Sequence, residues 1–266
     1  MSIQLICSDI DGTLLNKDRE LASETIAEVK RLKKIPFILI SSRMPKAMTH
    51  LQKEFDNLHL PLIAYNGGLI IDNGTVIEST EIEVTEIKSL YEQLKQTSLH
   101  LSLYHNNEWF VPTMDFWANR ESNNTKVKPT IQDIEITIEQ WEEQGKGAHK
   151  IMVMGDALEL DAIVNFIEST FSETLIGYRS KDTYLEIAHK SISKKTAIET
   201  LLASHYPKLT LENVLAFGDN YNDIEMLKSV GVGVAVGNAV QNVLDIADIV
   251  TDGNKENGVA NYLKNL

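Results

Sequence analysis

Two acids, Asp9 and Asp11, stand two residues apart directly after the apolar run 3–7. In an extended chain residues two apart point to the same face, so both carboxylates can aim at one point in space. Like charges that close repel, and a fold tolerates them only with a cation between them or with one carboxyl holding its proton. Gly12 follows at once and suits a tight turn. A second pair, Asp219 and Asp223, stands four apart at the expected start of a helix, where one face presents both. Lys194 opens another expected helix, beside Lys195, although the helix dipole disfavours a cation there. That mild penalty suggests a use for the charge. Ser41 ends an apolar run, and its hydroxyl with the next backbone N–H suits an anionic oxygen. Gathered together at the ends of strands, these groups would form a pocket in which acids, a hydroxyl and an ammonium surround a cation or an anionic ligand.

The elements that must gather them are legible as alternating runs. Residues 3–7, 36–40 and 60–64 are short, continuous and rich in Ile and Leu, as buried parallel strands are. They end in Asp9, in Ser41-Ser42-Arg43 and in Tyr65-Asn66-Gly67-Gly68. Helical periodicity over 21–34, capped by Ser23 or the Asp18 region, and over 46–55 separates them. Strand and helix in alternation, with polar residues at each strand end, predict a doubly wound, mainly parallel α/β sheet that binds ligands at its carboxyl edge. Residues 69–78 alternate around Asn73-Gly74, a hairpin signal.

The pattern then changes. A helix is expected over 83–97, a hairpin over 99–104 and 108–112, and a loop over the polar stretch 119–128. A strand (150–154), a helix (158–171) and two strands (174–179, 183–188) follow. This reads as an α+β domain, 82–188, inserted into a core of 1–81 and 189–266. From Ile192 the α/β pattern resumes: a helix to about Ala203, strands 213–217, 231–236 and 247–251, and a closing helix.

Composition excludes several classes. With 25 basic against 38 acidic residues and a formal charge of -13, the chain lacks the basic face of a nucleic-acid binder. The single Cys7 cannot form an internal disulfide and reads as a small core residue. No apolar stretch approaches a membrane span or a signal peptide, so a cytoplasmic protein without membrane contact is expected. His105, His149 and His189 show no metal-ligand spacing and read as surface or packing residues.

The string Asp9-Ile-Asp-Gly-Thr-Leu-Leu15 resembles the first signature of the haloacid dehalogenase-like (HAD) phosphohydrolases. Gly218-Asp-x-x-Asn222-Asp223 is similar to the last, Ser41 to the second, and Ser193-Lys194 to the third. Asn66-Gly67-Gly68, Gly237-Asn238-Ala239 and Asn257-Gly258-Val259 look like the Cof-type branch, which carries a large α/β cap after the third strand. The resemblance implies a Rossmann-like core and a phosphatase that works through an aspartyl-phosphate. Asp9 would be the nucleophile and Asp11 the acid and base. Mg²⁺ would be held among Asp9, Asp11, Asp219 and Asp223, and phosphate by Ile10, Ser41, Ser42, Lys194 and Asn222. Gly12, Arg43, Asn66, Gly67 and Arg179 are the substrate-binding candidates, and the cap would choose the substrate. Ser42 and Lys195 depart from the family pattern, which has Gly at both positions. The substrate would be a small phosphorylated metabolite, a sugar, nucleotide or cofactor phosphate, and the protein a monomer or homodimer. Two alternatives stay open: a phosphomutase of the same chemistry, and a non-catalytic phosphoacceptor switch.

Overall fold

A computed structural model describes residues 2–266, and the chain divides into two compact units. The first runs to Glu78 and resumes at Ser193; the second is Ser79–Ile192. In the first unit the chain lays down β1 (Leu5–Ser8), α1 (Ser23–Arg31), β2 (Phe37–Ile40), α2 (Thr49–Glu54), β3 (Leu62–Ala64), β4 (Leu69–Asp72) and β5 (Thr75–Ser79). The Asn73-Gly74 turn between β4 and β5 has both residues at positive φ, as a two-residue hairpin with the right twist requires. The second unit contributes α3 (Val84–Leu94), β6 (His100–His105), β7 (Glu108–Val111), α4 (Phe116–Thr125), β8 (Thr130–Ile131), α5 (Ile134–Gln144), β9 (Lys150–Met154), α6 (Ala157–Thr170), β10 (Leu175–Lys181) and β11 (Tyr184–His189). The chain then completes the first with α7 (Lys194–His205), β12 (Val214–Gly218), α8 (Ile224–Ser229), β13 (Val232–Ala235), α9 (Gln241–Leu244), β14 (Ile249–Val250) and α10 (Gly258–Leu263).

The sheet of the first unit has the order β14-β13-β12-β1-β2-β3-β4-β5, parallel from β14 to β3. Its strands β1, β2, β3 and β12 are buried along their whole length, which is why they read as unbroken apolar runs. Successive strands add to one side of β1 up to β3 and to the other from β12. Strand order therefore reverses at β1, and the crevice of such a sheet opens there. Leu5, Cys7, Ile38, Ile40 and Ile63 pack with Ile198, Leu201 and Leu202 of α7. Burial pushes the Cys7 thiol up to about 12, which leaves it an inert core group.

The six strands of the second unit run in the order β10-β11-β9-β6-β7-β8. One face carries Leu101, Leu103, Ile151, Val153, Leu185 and Ile187 against Leu90, Ile138, Trp141, Leu160 and Ile163 of α3, α5 and α6. The expected loop over 119–128 is mostly helix α4. Asp115 caps it, its Oδ1 accepting from Ala118 N–H at 2.8 Å, and Ala118 anchors it inside. Helix α5 is a further element that the sequence pattern did not announce. Neither Ser23 nor Asp18 caps α1, whose N-cap is Ala22 without a side-chain bond. The helix expected over 46–55 is a 3₁₀ turn, Pro45–Ala47, followed by α2. No helix among the described residues is long and apolar enough to cross a membrane.

Candidate active site

The carboxyl ends of β1, β2, β3 and β12 deliver their polar residues to the start of α7. Asp9 leaves β1 with its N–H donating to the Phe217 carbonyl of β12 at 3.0 Å. Ser193 caps α7: its hydroxyl accepts from Thr196 N–H, and the Thr196 hydroxyl accepts from Ser193 N–H. Gly67 lets this helix start come close, because a Cβ there would lie 2.8 Å from both Ala197 Cβ and the Ser193 carbonyl. Lys194 is thereby held with 1% of its surface exposed. Its Nζ donates to Asp9 Oδ1 and to Asp223 Oδ1, each at 2.6 Å.

Asp223 does not stand on a helix face beside Asp219. The loop after β12 closes as a 3₁₀ turn, Tyr221–Asp223, and Asp223 Oδ2 folds back to accept from the N–H groups of Asp219 (2.9 Å) and Asn220 (3.0 Å). Asp219 is oriented by the Thr13 hydroxyl, which donates to its Oδ1 at 2.7 Å. Gly12, at φ +90°, makes room for it: a Cβ there would sit 2.3 Å from Asp219 Oδ2. Asp9, Asp219 and Asp223 each offer an oxygen within 4.8 Å of the others.

Three carboxylates share one ammonium, and the electrostatics report the shortfall. Burial lifts the Asp9 carboxyl well above the ordinary range; Lys194 pulls the other way, and Asp223 and Asp219 add to the rise. Asp219 is raised to about 6, again chiefly by burial, with Thr13 opposing and Asp223 adding. Burial works against the charge of Lys194, but Asp223 and Asp9 outweigh it and hold the ammonium pKa above the usual lysine value. The cluster lacks positive charge, its donors are all oxygen, and a hard divalent cation such as Mg²⁺ fits that set.

Asp11 is turned elsewhere. Its carboxylate accepts from Arg43 Nε at 2.6 Å and from a terminal Arg43 nitrogen at 2.7 Å, with Arg19 3.9 Å away. Ser41 is buried, and its Oγ accepts from Arg43 N–H at 3.2 Å. Ser42 is not among the residues at positive φ, so its backbone conformation does not itself call for glycine. Ile10 is fully buried, and its carbonyl accepts from the N–H groups of Leu14 and Leu15. Asn66, at φ +56°, accepts from the Asn222 amide at 3.1 Å, so these two candidates hold each other. Lys195 pairs outward with Glu199 at 3.0 Å. Arg179 belongs to the second unit, and its guanidinium donates to Asp161 and to the Asp182 carbonyl. Strand alternation places it with Leu185 on the face that packs against α6, so it is spent on a helix.

Four supporting residues were given no site role in the sequence reading. Thr13 orients Asp219, Arg19 flanks Asp11, Asn238 donates to the Gly12 carbonyl at 2.8 Å and Asn254 to the Leu15 carbonyl at 2.7 Å. Thr13 lay inside the first signature, and Asn238 stands in the loop after β13, three residues past its end. The second unit also gathers Glu81, His105 and His149 within 4.8 Å, which the spacing of the histidines concealed. There His149 Nδ1 accepts from Asn106 N–H, so the proton of the neutral ring lies on Nε2, beside Ser79 Oγ at 3.0 Å. Burial first, then His105, lowers His149 to about 4 against the pull of Glu81. Ser79 donates on to Glu81. This is a satisfied hydrogen-bond chain rather than a ligand set.

A family model described as haloacid dehalogenase-like hydrolase matches residues 6–263. A protein of Haemophilus influenzae provisionally named a phosphatase is 32% identical over 269 residues, covering 99% of this chain and 98% of that protein. A 5-amino-6-(5-phospho-D-ribitylamino)uracil phosphatase of Bacillus subtilis is 26% identical over 98% of this chain and 96% of its own length. The crystal structure of a haloacid dehalogenase-like hydrolase from Bacteroides thetaiotaomicron, 27% identical, superposes with a TM-score of 0.90 and covers 99% of both chains.

Proposed function

The chain belongs to the haloacid dehalogenase-like hydrolases, and on that premise we propose that it is a Mg²⁺-dependent phosphatase acting on a small phosphorylated metabolite through an aspartyl-phosphate. One observation carries the reading. A buried ammonium joins Asp9 to Asp223 at 2.6 Å on each side, beside Asp219, where strand order reverses. Phosphate-ester hydrolysis needs a nucleophile, neutralisation of the phosphoryl oxygens and a proton for the leaving group. Asp9 supplies the nucleophilic oxygen, and Lys194 neutralises charge on the incoming phosphoryl group. Ser41 with the backbone after it holds a phosphoryl oxygen. Asp11 protonates the leaving oxygen and then takes the proton of the attacking water. Asp9, Asp219 and Asp223 would hold the Mg²⁺, which when bound screens the repulsion between carboxylate and phosphate dianion. The second unit, Ser79–Ile192, would act as the cap that excludes water and selects the substrate.

The test is a panel of sugar phosphates, nucleotides, cofactor phosphates and a phosphoribitylamino-uracil, assayed for phosphate release with Mg²⁺ by the parent and by Asp9→Asn. Turnover is expected from the parent on part of the panel and none above background from the variant. Turnover by the variant close to that of the parent removes Asp9 from its role and the mechanism with it.

A further inference from the structure

We infer that Asn238 and Asn254 form a clamp that fixes the spacing of the acid cluster and so selects Mg²⁺ over Ca²⁺. The inference rests on the proposed Mg²⁺ site and concerns how that site tells ions apart. Asn238 is exposed, yet both ends of its amide are engaged: Nδ2 donates to the Gly12 carbonyl and Oδ1 accepts from Asn254 N–H, each at 2.8 Å. A backbone N–H can only donate, so Asn254 fixes which end of the amide is oxygen and leaves the nitrogen facing Gly12. Asn254 Nδ2 donates in turn to the Leu15 carbonyl at 2.7 Å. The two side chains therefore grip one short loop, residues 12–15, at two points. Two residues past Asn238, Val240 N–H donates to the carbonyl of Asp219 at 2.9 Å. One segment after β13 thus holds both the loop that follows Asp9 and the backbone of Asp219.

Asp219 needs that hold more than its neighbours do. Lys194 bonds Asp9 and Asp223 directly, whereas the Asp219 side chain is placed by the Thr13 hydroxyl and by the room that Gly12 leaves beside Oδ2. Gly12 and Thr13 flank the peptide bond whose carbonyl Asn238 holds. Like charges this close repel, so a loop released at residue 12 lets Asp219 move away from Asp9 and Asp223. A wider cluster still suits Ca²⁺, which takes oxygens at about 2.3–2.6 Å in flexible geometry. It fails Mg²⁺, which demands near-octahedral ligands at about 2.0–2.1 Å. Among the described residues Asn238 bonds to none of the three acids, so it is a positioning residue that acts through residues 12 and 13.

Isothermal titration of the metal-free, full-length protein with MgCl₂ and with CaCl₂ tests this without any turnover. Asn238→Ala is expected to bind Mg²⁺ about 10-fold more weakly than the parent, the lower end of what losing a group behind a metal ligand costs. Its affinity for Ca²⁺ should change less than about 2-fold, because a flexible coordination shell tolerates the wider cluster. Its melting temperature in EDTA should fall by no more than about 4 °C, the loss of one exposed hydrogen bond in a chain of this size. Thr13→Val combined with Asn238→Ala should weaken Mg²⁺ by clearly less than the product of the two single losses, since both act on Asp219 through the same loop. Unchanged Mg²⁺ affinity, equal weakening of both ions, or fully multiplicative losses in the double variant would each overturn the role of Asn238. Asp219→Asn is the separate control: if it binds Mg²⁺ as tightly as the parent, the cation site itself is wrongly placed, whatever Asn238 does.

Discussion

Replacing Lys194 by Met should leave Asp9 and Asp223 facing each other across the space the ammonium now fills. Nζ lies 2.6 Å from an oxygen of each acid, and all three side chains are almost wholly buried. Removing one partner of a buried ion pair costs about 3–5 kcal/mol, because the remaining charge has no water to turn to. For a chain of this size that loss lowers the melting temperature by about 6–20 °C. The sign of the pH dependence follows from Asp9, whose folded pKa already stands above its unfolded value. A group raised in this way contributes stability that is present below the unfolded pKa and lost as pH rises through the folded one. Without the ammonium the folded value rises further, so the deficit of the variant should be larger near about pH 7.5 than near about pH 5. Circular-dichroism melts of parent and variant in EDTA at both pH values measure it. A deficit below about 1 kcal/mol, or one that grows on acidification, would refute the account of Lys194 as the internal counter-ion.

Asp219→Asn should stabilise the metal-free protein at neutral pH. The raised value of about 6 against an ordinary 3.8 means that ionised Asp219 costs about 3 kcal/mol, a cost that appears as pH rises from about 4 to about 6. Urea titrations in EDTA should show it, and added Mg²⁺ should stabilise the parent but not this variant. Gly12→Ala should lower kcat/KM for the best substrate at least about 10²-fold, with a stability loss of about 1–3 kcal/mol, because a Cβ at φ +90° overlaps Asp219. In the second unit, Asp115→Ala should cost about 2–4 kcal/mol, removing the cap of α4 and the partner of buried His100, 2.8 Å away. A cost under about 0.5 kcal/mol in chemical denaturation would show that the cap and the histidine contact are dispensable.

The sheet that holds the site was legible because parallel strands buried on both faces cannot alternate, and Leu5–Ser8, Phe37–Ile40 and Val214–Gly218 do not. Asp9, Ser41 and Asp219 follow those runs immediately, so their meeting at one edge followed from the periodicity and the α/β rules. Lys194 could be suspected but not oriented, since what aims it is the close approach of α7 over Gly67, more than a hundred residues away in the chain. The turn of Asp11 onto Arg43 was hidden for the same reason: nothing local to residue 11 reveals a guanidinium that arrives from the end of β2. Asp223 looked like one face of a helix and is instead a loop closure, because its carboxylate outcompetes helix geometry for the N–H groups of Asp219 and Asn220. In the second unit the failures lie where local polarity misleads. Helix α4 is polar almost throughout and depends on its Asp115 cap and on a buried Ala118 rather than on an apolar stripe.

The central place of β1 has a consequence for biosynthesis. Its neighbour on one side, β2, leaves the ribosome soon after it, but β12 begins about 200 residues later, which at ordinary elongation rates is a delay of roughly 10–40 s. Throughout that interval an apolar strand, Leu-Ile-Cys-Ser, presents an open hydrogen-bonding edge, while Ser79–Ile192 can complete its own core. Nascent chains of this protein should therefore need protection by a holdase at the amino-terminal edge, and a stop codon anywhere before Val214 should yield an aggregating fragment rather than a smaller folded one.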